Sequence, residues 1–163
     1  MSRIFTQDLE TPLGFVRITA NDRAISSLVF LDDNKGEYQE NGNSISADCA
    51  LQLKEYFEGK RKRFSLPLIL KGTEFQYKVW DTLKAIDFGE TITYMDLAKQ
   101  LNNPGAVRAV GSANGDNKIP ILIPCHRVIG SDGGLTGYAG GLWRKQWLIE
   151  HEQKVLGKLL SLF

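Results

Sequence analysis

The sequence predicts a mixed α+β (α/β) fold, and three observations carry that expectation. Short apolar and β-branched runs broken by turn residues fill the first third of the chain. Helical periodicity takes over from Thr73. Between helical segments near the end lies IPILIPCHRVIG (residues 119–130), an apolar run braced by two prolines that leads into a cysteine, a histidine and an arginine. A length of 163 residues allows one domain or two small ones.

The elements follow in order. FTQDLETPLGFVRITANDRAISSLVFLDD reads as antiparallel strands joined at "TPLG" and "ANDRA". After the polar stretch NKGEYQENGNSIS, a helix is expected in SADCALQLKEYFEG, with Cys49, Leu53 and Phe57 at four-residue spacing, Ser46 as N-cap and Gly59 as stop. Lys60, Arg61, Lys62 and Arg63 form a cationic run that reads as a solvated helix exit, and SLPLILKGT as an extended connector. TEFQYKVWDTLKAI carries Phe75, Val79, Leu83 and Ile86 on one stripe, flanked by Trp80, under a Thr73/Gln76 capping box. ETITYMDLAKQL forms a second helix, "NNPG" a turn, and AVRAVGSANGDN a third helix, the outline of a helix-turn-helix. GSDGGLTGYAGG holds six glycines in twelve residues without the spacing of a phosphate-cradling loop, so it reads as a loop whose backbone approaches a ligand. LWRKQWLIEHEQKVLGKLL closes the chain as an amphipathic helix, with Leu142, Trp147, Leu148 and His151 near one face and Trp143 and Trp147 as packing residues.

Composition narrows the function classes. Hydrophobic residues at 42% and charged residues at 24% exclude a disordered or fibrous chain. A net charge of +1 gives no global pull on a polyanion, so nucleic-acid binding requires a local surface. No segment approaches the roughly 20 apolar residues that span a bilayer, and MSRIFTQDLETPLG lacks a signal-peptide stretch, so a cytoplasmic protein without a membrane partner is expected. In that compartment Cys49 and Cys125 are thiols rather than a disulfide. His126 and His151 are the only histidines, no metal-ligand spacing appears, and neither metal nor cofactor is expected.

Cys125 beside His126 is the chemical centre of this reading. Adjacent residues of an extended segment point to opposite sides, so the pair needs a bend, which Pro124 stiffens. An apolar strand before, a glycine loop after, and Glu150 and Glu152 reaching back from the last helix imply a pocket. A base works better on a thiol when a carboxylate fixes its tautomer.

"GTEFQYKVW", "GETITYMDLA", "AVRAVGSA", "IPILIPCHRVIG" and "GGLTGYAGGLWRKQWLIEHE" run in the order and spacing of the O6-alkylguanine-DNA alkyltransferases, the methylated-DNA–protein-cysteine methyltransferases, which the chain resembles over roughly residues 73–152 and more loosely before them. The resemblance implies an N-terminal ribonuclease H-like domain, 1–72, and a C-terminal winged-helix-type DNA-binding and catalytic domain, 73–163. It also implies a partner, double-stranded DNA containing O6-alkylguanine or O4-alkylthymine, and a monomer that takes the alkyl group once after flipping the base out through the minor groove. By position, Cys125 matches the acceptor, His126 the water-mediated base, Glu152 its orienting carboxylate and Asn117 the bracing asparagine. Tyr94 matches the tyrosine that hydrogen-bonds the flipped guanine, and Arg108 the finger filling the vacated stack. Tyr138 and the Ala139 N–H match the pocket wall, and the Val128 and Cys125 carbonyls the acceptors for the exocyclic amine. Ala106, Ala109, Gly111 and Ala113 would let backbone approach a groove closely.

The chain departs from the family in three places. Lys118 follows Asn117 where proline is frequent, Ala139 stands where some members have serine, and the N-terminal zinc site of some relatives has no histidine here. Taken singly, Tyr94 reads as a capping aromatic, Arg108 as a surface cation, Asn117 as a helix-end residue and Glu152 as an exposed acid. Competing functions are a cysteine hydrolase working through a thioester, a lesion-sensing relative without the acceptor, which the intact Cys125 opposes, and a transcriptional regulator, which needs a basic, base-contacting helix.

Overall fold

The computed structural model describes residues 3–32 and 38–158, and the chain divides into two compact units, Met1–Leu70 and Lys71–Phe163. Part of NKGEYQENGNSIS and the end of the closing segment LWRKQWLIEHEQKVLGKLL lie outside the described residues.

The first unit is an antiparallel sheet with one helix. Strands β1 (Phe5–Thr11), β2 (Gly14–Ala20), β3 (Ile25–Leu31) and β4 (Glu40–Asn41) are ordered β3-β2-β1-β4. "TPLG" makes the predicted tight turn: Thr11 pairs with Gly14, Thr11 Oγ1 accepts from Leu13 N at 3.0 Å, and Gly14 takes φ 93°, a left-handed conformation that glycine adopts without a Cβ clash. Alternation sends Val16, Ile18 and Ala20 to the core with Leu28, where Cys49, Leu53 and Tyr56 of helix α1 (Ser44–Phe57) are also buried. Each fully buried aliphatic side chain contributes about 1.5–3 kcal/mol.

Helix α1 starts earlier than expected. Asn43 is the N-cap, its side chain accepting from Ser46 N at 2.9 Å, while Ser46 Oγ accepts from Asn43 N at 2.9 Å. Ser46 is therefore the third residue of the capping box rather than the cap. The stop is as expected: Gly59, at φ 79°, donates to Tyr56 O and Lys60 donates to Glu55 O, the two bonds of a Schellman ending. Connector residues 67–69 bond Ile25 and add a bridge to the β3 edge.

The second unit is mainly helical. Helix α2 (Glu74–Leu83) has the expected capping box and buries Val79, Trp80 and Leu83, with Trp80 Nε1 donating to Ala113 O at 2.8 Å. Helix α3 (Tyr94–Gln100) is shorter than ETITYMDLAKQL. Thr93 caps it, and Ile92–Thr93 form strand β5, parallel to β6 (Val128–Ile129). Asn102 at φ 56°, with Asn103 N donating to Ala98 O and Asn102 N to Lys99 O, ends α3 in a second Schellman motif. Pro104–Ala106 then turn into helix α4 (Val107–Gly115), completing the helix-turn-helix outline.

Two expectations are corrected. The run before Cys125 is not a strand: Pro120 and Pro124 have no N–H for a ladder, and Ile121 turns at φ 73° while 1% exposed. A β-branched residue in that region stores of order 1–3 kcal/mol of strain. Helix α5 (Leu142–Val155) is rotated from the predicted face. Arg144, Lys145, Leu148 and Glu152 are buried, Leu142 and Trp143 are exposed, and Trp147 stacks on His151 at 4.8 Å. Trp143 is thus not a core residue.

Candidate active site

Pro124 precedes a single 3-10 turn, Cys125–Arg127, in which Arg127 N donates to Pro124 O and Val128 N to Cys125 O. This turn is the bend the dipeptide needs. With about three residues per turn, Cys125, His126 and Arg127 leave it in three directions. All three are buried, and His126 is fully enclosed.

The imidazole and the guanidinium converge on Glu152, one of the charged residues on the buried face of α5. Glu152 Oε2 lies 2.7 Å from His126 Nε2 and accepts from Arg127 Nη2 at 3.0 Å. Oε1 accepts from Arg127 Nε at 2.9 Å and from Gly89 N at 3.0 Å. Arg127 Nη1 donates to Ile86 O at 2.6 Å, which places the whole guanidinium fork. Burial favours the neutral acid at Glu152, but His126 and Arg127 override it and hold the carboxyl well below its usual range. Because a carboxylate only accepts, His126 carries its proton on Nε2 and its lone pair on Nδ1. That Nδ1 is buried and has no hydrogen-bond partner in the protein. Burial also lowers the imidazole's affinity for a second proton, against the pull of Glu152.

Cys125 is 5% exposed. Burial pushes its thiol up to about 11, although the Asn117 hydrogen bond and the Lys145 charge pull the other way. At neutral pH the resting sulfur is therefore a thiol, and its proton has to leave during reaction. Asn117 is held by donation to Ile123 O at 2.9 Å and by acceptance from Ile119 N at 3.0 Å.

A pocket of about 400 Å³ is lined by α3, α4 and the glycine loop through Tyr94, Val107, Gly111, Asn114, Tyr138 and Ala139, and Asn114 Nδ2 donates from its wall to the Cys125 carbonyl at 3.3 Å. Fully buried Lys145 ties these walls together: its Nζ donates to Thr136 O at 2.8 Å and to Tyr94 Oη at 3.4 Å. Val128 is buried in β6. Arg108 is exposed on α4, and Ala106 is half-buried at its start. Among the small residues read as groove-facing, Ala109 is exposed and Gly111 half-buried, but Ala113 packs in the core with its carbonyl bonded by Trp80. Of the two acids expected to reach back, only Glu152 does; Glu150 accepts from Gln146 at 2.9 Å on the outside.

Four residues in this constellation escape sequence reasoning. Arg127, Lys145 and Asn114 have side chains usually found at the surface, and Gly89 acts through its backbone. Their only signal is position: Arg127 follows the Cys-His pair, and Lys145 precedes Glu152 by seven residues, two helical turns, on one face.

Comparison with known proteins decides the family. Residues 74–154 match the DNA binding domain, and residues 4–70 the ribonuclease-like domain, of 6-O-methylguanine DNA methyltransferase. The chain belongs to the 6-O-methylguanine DNA methyltransferase family. It is 42% identical over 159 residues to a methylated-DNA--protein-cysteine methyltransferase of Mycolicibacterium paratuberculosis, covering 95% of this chain and 96% of that one. The constitutive Bacillus subtilis family member is 46% identical over 138 residues, covering 80% and 84%. Among solved structures, the family member Mycobacterium tuberculosis OGT in complex with DNA superposes with a TM-score of 0.84 at 39% identity, covering 92% of this chain and 93% of that one. No described helix is long and apolar enough to cross a membrane.

Proposed function

We propose that the protein is a methylated-DNA–protein-cysteine methyltransferase that reverses O6-alkylguanine damage in double-stranded DNA by moving the alkyl group, once, onto Cys125. O4-alkylthymine is the second lesion in this reading. The observation that carries it is a buried thiol followed by an imidazole whose tautomer is set by a paired carboxylate, on a turn whose Cys125 carbonyl is bonded by Asn114 from the wall of a base-sized pocket.

A stacked base is out of reach, so the nucleotide is flipped out at a cost of a few kcal/mol. Arg108, exposed on α4, fills the gap, and Ala106, Ala109 and Gly111 let the helix approach a minor groove closely. The base enters between Tyr94 and the loop bearing Tyr138 and Ala139. Tyr94 Oη and the Ala139 N–H serve its O6 and ring nitrogen edge, and the Cys125 and Val128 carbonyls accept from its amine. The Cys125 thiol passes its proton through water to His126 Nδ1, whose positive charge Glu152 stabilises. Sulfur then attacks the alkyl carbon, the S–C bond forms as the C–O6 bond breaks, and the departing guanine becomes the neutral base by taking a proton at a ring nitrogen from Tyr94 Oη, which is reprotonated through solvent by the proton released from His126. Asn117 braces the turn throughout.

A thioether is not activated toward water as a thioester is, so the sulfur keeps the group and each chain acts once. The chemistry lies in domain 73–163, alongside domain 1–72. Action as a monomer in the cytoplasm belongs to the same proposal; among the described residues both cysteines are free thiols, which suits a reducing compartment.

Intact-mass spectrometry after incubation with a duplex containing O6-methylguanine tests it. The expected result is one methyl on the Cys125 peptide, saturating at one per chain and absent in Cys125→Ser. Repeated turnover, or no adduct on freshly reduced protein, overturns it.

A further inference from the structure

Arg127 is 6% exposed and follows Cys125 and His126 on the same turn. Its Nε donates to Glu152 Oε1 at 2.9 Å and its Nη2 to Oε2 at 3.0 Å, so the fork takes both oxygens of the carboxylate. Nη1 donates to Ile86 O at 2.6 Å, and the guanidinium lies 5.8 Å from the centre of the Phe88 ring. His126 Nε2 shares Oε2 at 2.7 Å. That contact fixes a proton at Nε2 but does not decide whether Nδ1 carries one as well, because a nearby carboxylate favours the imidazolium. A base needs Nδ1 bare.

Charge decides between the two forms. With Arg127 in place, its cation matches the Glu152 anion, and a second proton on His126 adds an unmatched charge to the core. Without Arg127, an imidazolium is the nearest match for the lone anion, and Nδ1 is already filled. Nδ1 is buried with no hydrogen-bond partner among the described residues, which costs more for a charged donor than for a bare acceptor. The other groups around the ring do not reverse this. Lys145 of α5 is a further cation, Cys125 is a thiol, and burial pushes the Tyr138 phenol up. Arg144 of α5 is buried and donates to Gly140 O. The stretch 86–89 adds only the Ile86 carbonyl and the Gly89 N–H to the cluster, with Asp87 exposed.

We infer that Arg127 is a positioning residue for the base: by holding both oxygens of Glu152 and matching its charge, it leaves Nδ1 of His126 open to receive the Cys125 proton. This rests on the proposed alkyl transfer. The arginine touches no reacting atom and acts through Glu152.

The test compares the unaltered protein with Arg127→Gln and Arg127→Lys. Nitrogen NMR without DNA reads the protonation of His126, and single-turnover methyl transfer from an O6-methylguanine duplex is followed between pH 5 and 9. The unaltered protein is expected to show a bare Nδ1 at pH 7. In Arg127→Gln the imidazolium forms about one pH unit or more higher, and the acid limb of the transfer rate moves up with it. Arg127→Lys, which keeps the charge and loses the fork, slows transfer without that shift. If Arg127→Gln is unfolded at neutral pH, it is expected to regain its fold as the pH falls to about 6, where a proton on His126 supplies the missing charge. Failure to fold anywhere in the range overturns the inference. So does a folded Arg127→Gln with the original midpoint, even at a lowered rate, since the residue then acts on structure alone. An equal shift in Arg127→Lys, or a protonated Nδ1 in the unaltered protein at pH 7, overturns it too. Expected NMR behaviour with no methyl on Cys125 of the unaltered protein at any pH is a different failure, that of the proposed function itself.

Discussion

The two units bury different things. Among the described residues, the first encloses an aliphatic and aromatic core and only three polar side chains, Asp8, Ser46 and Gln52, each paired locally or to nearby backbone. The second encloses Asn114, Asn117, His126, Arg127, Arg144, Lys145 and Glu152, four of them ordinarily charged. Burying charge without compensation costs several kcal/mol per ion, so a chain that gathers four such side chains in one unit and only Asp8 in the other is marking where its chemistry is.

The buried thiols break the comparison most sharply. Cys49 is fully buried and held up to about 12 by burial and the neighbouring Asp48 charge; Cys125 sits near 11. By ionisation alone the two sulfurs are alike, and only Cys125 is followed by an imidazole with a fixed tautomer. Cys125→Ser should abolish methyl transfer outright, while Cys49→Ser should leave the rate unchanged and cost about 1–3 kcal/mol of stability for an enclosed hydroxyl. Mass spectrometry and urea denaturation read the two effects.

Carboxylates give the next contrast. Glu152→Ala strands Arg127 and His126 in the core, for about 3–5 kcal/mol, and should slow transfer by at least about a hundredfold. Asp8 holds Arg17 through bonds of 2.8 and 3.0 Å and accepts from Gln39 N. Asp8→Ala should cost about 1–3 kcal/mol and leave transfer intact. Equal loss of transfer in both variants would erase the distinction between the units.

Acid should separate them without mutation. His126 is held neutral, its folded affinity for a proton lying below the ordinary 6.5, so the unfolded chain takes up a proton first and stability falls as pH drops through that value. Glu152, also depressed, adds a loss as pH falls below about 4.5. In the first unit the corresponding loss, from Asp8, begins only near 3.8. Hydrogen exchange corrected for intrinsic rates should show protection of residues 74–155 weakening between pH 7 and 5 while residues 5–31 and 44–57 hold. The smallest effects should be the same in both units: Asn43→Ala and Thr73→Ala each remove a capping box and should cost about 1 kcal/mol by thermal denaturation.

What the sequence makes legible follows from the same physics. The "TPLG" turn, the Thr73 capping box, the Gly59 stop and the α3–α4 turn are local, each set by residues within four positions, and all are read correctly. Ser46 is misplaced by three residues because Asn43 is an equally good cap and only the reciprocal bond decides. The Ile92–Thr93 pairing with Val128–Ile129 joins segments 36 residues apart, beyond any local pattern. The apolar run 119–124 resembles a strand until its prolines are counted. Helix α5 is misread because periodicity assumes that charges face water, and Arg144, Lys145 and Glu152 do not. Motif matching finds Cys125, His126 and Glu152, whereas Asn114 and Gly89 emerge only with coordinates.

Four hydrogen bonds reach the Glu152 carboxylate from elsewhere in the chain: the stretch around Gly89, and the turn holding His126 and Arg127. One carboxylate thus fastens three distant stretches at a single point, and it sits in the last half of the final described helix. A proteolytic nick just before residue 152 would spare the thiol, the pocket walls and the loop anchor at Lys145, yet leave the imidazole without its orienting partner. The outcome would be a fragment that still grips its lesion and no longer reacts with it.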